Sequence, residues 1–224
     1  GTLRIGTEAS PSTYTYGAIY MYEGNLTING GTIYAYGNNY AIHCHSGSVT
    51  INGGALTANG PDAIQIDSGS ATINGGTVNL TSTKSDALAA GSDITITGGT
   101  VNANGARYGL FNSGGNIFIT GGKVTVSSSR ENREAIYISS GNTLTLGCSH
   151  SDDKYQIGKL YSPYCSVILE NDFKINGESS TYGKAGTYDN TYFNNYLEDK
   201  TLTLDGVLTV TPSSLTASNV STNV

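Results

Sequence analysis

The sequence predicts an all-β chain wound as a right-handed parallel β-helix, with three strands per coil and a less regular C-terminal cap. Three observations carry the prediction: a short phrase that returns at fixed spacing, period-two alternation around it, and abundant glycine with little charge. The phrase is Thr27-Ile28-Asn29-Gly30-Gly31-Thr32-Ile33. It returns from Thr50 to Leu56, from Thr72 to Val78, from Thr95 to Val101 and, less strictly, from Phe118 to Val124. The first glycine of each copy falls at 30, 53, 75, 98 and 121, a period of 22 to 23 residues. A fixed period in that range marks stacked units that bury their apolar faces only against neighbours. The handedness follows from the rule for crossovers between parallel strands.

Composition agrees with that class. The 224 residues include 30 Gly, 16 Tyr, no Trp and 12% charged residues, a strand-and-turn composition with too much patterned apolar content for disorder. A net charge of −6 gives no electrostatic reason to expect nucleic acid or an anionic membrane as partner. No apolar run approaches the roughly 20 residues of a bilayer-spanning helix, so membrane insertion is not expected. The opening Gly1-Thr2-Leu3-Arg4 has neither Met nor a signal-peptide pattern, which leads us to expect one module of a longer precursor. Cys44, Cys148 and Cys165 do not make a disulfide framework; the last two either pair in an oxidising compartment or remain thiols.

Residues 1 to 17 read as an N-terminal cap or partial coil, since a solenoid end exposes unpaired backbone that needs a cover. Residues 18 to 147 hold the regular repeats. A small residue opens each coil, at Ala18, Ala41, Ala63, Ala87, Gly109 and Ala135, followed by Ile19, Ile42, Ile64, Leu88, Leu110 and Ile136. Alternation turns these Ile and Leu inward with Met21, Cys44, Ile66 and Ile138, and turns Tyr20, His43, Gln65, Phe111 and Tyr137 to the opposite side.

A second strand carries Leu26/Ile28, Val49/Ile51, Ala71/Ile73, Ile94/Ile96, Ile117/Ile119 and Leu144/Leu146 inward. The Gly-Gly pair then breaks the strand at a corner, where only glycine tolerates positive φ and close backbone approach. A third strand carries Ile33/Ala35, Leu56/Ala58, Val78/Leu80, Val101/Ala103 and Val124/Val126 inward. Asn29, Asn52 and Asn74, continued by Thr97 and Thr120, read as a structural hydrogen-bonded ladder of buried polar groups along the axis. Between the third strand and the next coil a loop absorbs all length variation, and such loops are where solenoids place binding residues. Residues 148 to 210 read as irregular coils ending in a Tyr-rich cap from Tyr182 to Tyr196, and 211 to 224 as a polar tail or linker. Seven to nine coils are expected in all.

Over residues 18 to 147 the unit Ala-Ile-x-x-x-Gly-x-x-Thr-Ile-Asn-Gly-Gly-Thr-Val resembles the bacterial carbohydrate-binding β-helix proteins of cellulolytic clostridia, whose fold is similar to that of pectate lyases. Repeated Thr-Ile-x-Gly-Gly phrases also occur in adhesins and other surface β-helices. The resemblance implies a secreted or surface-attached module that binds plant or acidic polysaccharide, often with calcium held by acidic loops. The matching loop positions here are Tyr40, Asp62, Asp86, Tyr108 and Glu134. Calcium takes about six to eight oxygens, so the implied site draws on both Asp62 and Asp86 from adjacent coils.

The outward side of the first strand is the candidate ligand surface. In-register stacking sets equivalent residues ~4.8 Å apart, giving one rank of Tyr20, His43, Gln65, Phe111 and Tyr137 and another of Tyr22, His45 and Asp67. A sugar packs its C–H faces on aromatic rings while its hydroxyls seek donors and acceptors. The same residues also suit an ordinary half-solvated sheet face, because Tyr favours strands. His43, His45 and Asp67 are the types of a known metal set, but side chains at i and i+2 start ~6–7 Å apart and the sequence names no orienting partner. They are read as part of the ligand surface, with Cys44 turned into the core.

Catalysis asks for more than the sequence offers. A pectate-type lyase needs an Arg or Lys base beside a uronate neutralised by a cation, and Arg107, Arg130 and Arg133 lie in loops without a cluster of acids. Glycoside hydrolysis needs two carboxylates facing one cleft, and no pair stands out. The expected function is an extracellular, non-catalytic module of a bacterial surface or secreted protein that binds polysaccharide or a host or plant glycan, or acts as an adhesin. A polysaccharide lyase and a structural stalk spacing other domains are the alternatives.

Overall fold

The computed structural model describes residues 1–130, 133–158, 165–175, 178–179, 184–188 and 202–207. Among these residues every regular element is a strand, and the strands fall into three sheets. The first sheet stacks Ile19–Glu23, Tyr40–Ser46, Asp62–Ser68, Leu88–Ala90, Leu110–Asn112 and Ile136–Ile138. All pairings in it are parallel, with Ile19, Ile42, Ile64, Leu88, Leu110 and Ile136 in one register column. The second sheet aligns Leu26, Val49, Ala71, Ile94, Ile117, Leu144 and Val167. The third aligns Leu3, Ile33, Leu56, Val78, Val101, Val124 and Tyr155. Each column is one apolar position of the repeat, so the sequence period and the structural rung coincide.

Apart from Leu3, which is exposed at the end of the stack, the inward columns form a single continuous core running through all three sheets. Full burial of an Ile or Leu side chain is worth about 1.5–3 kcal/mol, and every coil contributes several. No coil could collect that stabilisation alone, because its apolar edge is covered only by the next rung.

Within the repeated phrase the two glycines have different jobs. Only the second adopts positive φ, from 80° at Gly31 to 93° at Gly122. A Cβ on Gly54 would also stand 2.5 Å from the carbonyl oxygen of Gly31. The first glycine instead passes close to the carbonyl oxygen of the residue one coil below, as at Gly75, where a Cβ would lie 2.9 Å from Asn52 O. At Gly30, at the start of the stack, no atom would be met.

The amide ladder forms, but on an exposed corner rather than in the buried setting expected. Asn52 donates to Asn29 and Asn74 donates to Asn52, both at 2.8 Å, and the Thr97 hydroxyl continues the run to Asn74 at 2.9 Å. A shorter ladder, Asn102 to Asn79 at 2.8 Å, lies on the third sheet and was not anticipated.

The expectation of seven to nine coils is corrected to about six, the number of strands in the first sheet. The reason lies beyond Leu146. Lys154–Ile157 and Ser166–Leu169 add one more parallel rung to the third and second sheets. The next partners are antiparallel: Gly186–Tyr188 pairs with Ser166–Leu169, and Leu202–Val207 pairs with Lys154–Ile157 and with Asp172–Ile175. A returning strand occupies the edge that a further coil would need. Tyr155 closes the core column here, fully buried, with its hydroxyl donating to Gly147 O and burial pushing the phenol well up.

At the other end Thr2–Ile5 pairs in parallel with Thr32–Tyr36, so the first residues form a rung of the third sheet. Most of the Tyr182 to Tyr196 stretch and all of 211–224 lie outside the described residues. Cys44, Cys148 and Cys165 are buried thiols.

Candidate functional site

The outward side of the first sheet carries the candidate site. Alternation within Tyr40–Ser46 and Asp62–Ser68 buries Ile42, Cys44, Ile64 and Ile66 and turns the intervening residues outward. Tyr20, His43 and Gln65 are register neighbours, as are Phe111 and Tyr137. Between Gln65 and Phe111 the rank passes through Ala89, which is buried and lies outside the main core. The expected single rank is therefore two ring clusters separated by the Gln65 and Ala89 rungs, which carry no ring.

In the first cluster Tyr22 stacks on His45, centroids 5.0 Å apart at 17°, and Tyr16 stacks on Tyr20 at 5.0 Å. Tyr40 lies 4.5 Å from His43, and Tyr20 5.3 Å from it. Tyr14 and Tyr16 were not singled out from the sequence, although their place just ahead of Tyr20, where the rank begins, was a signal. Together with Tyr22 they are more than half exposed, which is unusual for rings on a folded surface. In the second cluster Phe111 stacks on Tyr137 at 5.1 Å and 16°, with the buried Tyr108 against both. The Arg107 guanidinium lies 5.0 Å from the Phe111 ring centre, and Arg133 donates to the Tyr108 hydroxyl at 3.3 Å.

Asp67 ties the first cluster together. One of its oxygens, Oδ2, is 3.0 Å from His43 Nε2 and 3.0 Å from His45 Nδ1. The other, Oδ1, accepts from the Gln65 amide at 3.0 Å. Burial alone would raise this carboxyl, but the contacts with His43, His45 and Gln65 outweigh it and hold Asp67 below the usual carboxylate range. The behaviour expected from i and i+2 spacing is thus corrected: the histidines diverge at Cβ, but a carboxylate from the next coil gathers their ring nitrogens. Among the described residues this is the group of His, Cys, Asp or Glu side chains placed to share a metal ion, with ligand atoms all within 4.8 Å.

The calcium expectation fares differently. Asp62 and Asp86 do sit in adjacent coils, with Asp86 N donating to Asp62 Oδ1 at 3.0 Å. The Asp86 carboxylate, however, is buried and bound by both Nε and Nη2 of Arg107, and Tyr108 N adds a third bond. A guanidinium stands where a calcium ion would need open oxygens. Asp62 is pushed upward, chiefly by burial, which further disfavours the charged form a cation wants.

Two stretches, residues 26–47 and 94–117, match the family model described as a beta helix repeat. The second spans one full turn, since Ile94 and Ile117 are register partners. The molecule is a parallel β-helix. No curated protein and no solved structure matches the chain. Within this β-helix the matched stretches include Tyr40, His43 and His45 from the first cluster and Arg107, Tyr108 and Phe111 from the second.

Proposed function

We propose that this β-helix is an extracellular, non-catalytic glycan-binding module, and that polysaccharide lies along the outward side of the first sheet. The observation that carries the reading is the pair of ring clusters set in register along one axis, each beside hydrogen-bonding groups. Rungs ~4.8 Å apart present rings and polar tips at a repeat that an extended chain of sugars can follow. The Arg133 guanidinium at the second cluster favours an acidic glycan there, whereas Arg107 is engaged by Asp86, and this is consistent with the resemblance to polysaccharide-binding β-helices. We place the module in a longer bacterial surface or secreted protein, bound to a host or plant polysaccharide.

The lyase alternative asks an arginine to act as base. Arg107 is a poor one, because its hydrogen bonds to Asp86 hold its proton more firmly than usual. The stalk alternative uses the same scaffold with no ligand. A glycan array probed with and without calcium separates the three. Saccharide-specific signal supports the proposal, a blank array in both conditions selects the stalk, and new absorbance from unsaturated uronates on pectin selects the lyase.

A further inference from the structure

The hydrogen inventory at His43 does not close with a neutral ring. Its Nδ1 lies 3.1 Å from the backbone carbonyl oxygen of Tyr16, which can only accept, so Nδ1 carries the proton. In a neutral ring that leaves Nε2 as a lone pair, yet it faces Asp67 Oδ2, also an acceptor, at 3.0 Å. The contact of His43 Nε2 with Asp67 Oδ2 therefore calls for a further proton or a metal ion between two acceptors, and His45 Nδ1 reaches the same oxygen, as a donor or as a metal ligand.

We propose that His43 Nε2, His45 Nδ1 and an Asp67 carboxylate oxygen bind a divalent transition metal, with Zn²⁺ the ion best suited. Two imidazoles and one carboxylate are a set that favours such metals over calcium or magnesium. Tetrahedral bonds of about 2.0–2.2 Å fit this convergence after small movements of the exposed His45 and Asp67 side chains. The supports that orient metal ligands are already built. Tyr16 O fixes the His43 tautomer, Gln65 holds the second oxygen of Asp67, and the Tyr22 and Tyr40 rings pack on the two imidazoles. His43 is nearly buried, while the side chains of His45 and Asp67 are 49% and 36% exposed. The ion therefore enters from the solvent side and keeps its fourth position open to water or a ligand. This site stands independently of the glycan reading.

The test uses the full chain after chelator treatment, titrated calorimetrically with ZnCl₂ and separately with CaCl₂. The expected result is one Zn²⁺ per chain and no calcium heat, with His45→Ala and Asp67→Asn each weakening Zn²⁺ binding by at least about tenfold. His150→Ala, removing the histidine outside the cluster, leaves it unchanged. His45 is solvent-exposed, so its variant keeps the fold, which far-ultraviolet circular dichroism checks. Absence of saturable Zn²⁺ binding to the unaltered chain overturns the proposal, as does binding that survives both variants.

Discussion

At the scale of single residues, Asp67 and Asp153 are set by what donates to them, whereas Asp62 is set chiefly by its burial. Asp153 is buried, which alone would raise it, but its oxygens accept from the backbone N–H groups of His150, Gly122 and Ser149, and these bonds bring it below the usual range. A carboxyl lowered in the folded state stabilises the fold above its unfolded pKa, near 4, and that contribution disappears as pH falls through the lower folded value. Asp153→Asn is therefore expected to lower the urea midpoint clearly at pH 7 and much less at pH 2. A penalty that is the same at both pH values would contradict this assignment. Asp67 was legible as a neighbour of His45, because equal register places them side by side. Its reach to His43 across the Gln65 rung was not, since alternation gives the face of a side chain and not its diagonal contacts. Asp86 was misread for a related reason: a long Arg107 side chain from the next coil takes its oxygens, and no spacing rule reports that.

At the scale of the element, the repeated phrase is a strand ended by a corner, and its two glycines separate experimentally. Gly54→Ala places a Cβ at φ +83° and 2.5 Å from Gly31 O, so backbone must move. Gly30→Ala meets nothing within 4 Å and its φ is ordinary. The first is expected to destabilise the fold by about 2 kcal/mol or more, and the second to change it by no more than about 0.5 kcal/mol. Thermal melts of the two variants compare them directly; equal losses would show that the positive-φ corner is not the constraint. The strands of the repeat were legible, because period-two alternation inside a fixed repeat leaves one choice of inward face. The break at Ala89 was visible as a small residue, yet a rank assembled from large side chains passed over it.

At the scale of the whole molecule, stacking was legible and termination was not. A repeat states how one coil joins the next, whereas the antiparallel strands that close the stack after Ser166–Leu169 follow no period. The result is a stacked scaffold that carries two ring clusters on one sheet, on either side of Ala89. The measurement that bears most directly on this account is the affinity for the polysaccharide selected by the array, compared across ring variants and a variant on another face. Tyr22→Ala and Phe111→Ala are each expected to weaken binding about tenfold, while Thr72→Ala, on the outward side of the second sheet, leaves it unchanged. Unaltered affinity in both ring variants, or equal loss in Thr72→Ala, would contradict the assignment of the first sheet as the glycan surface.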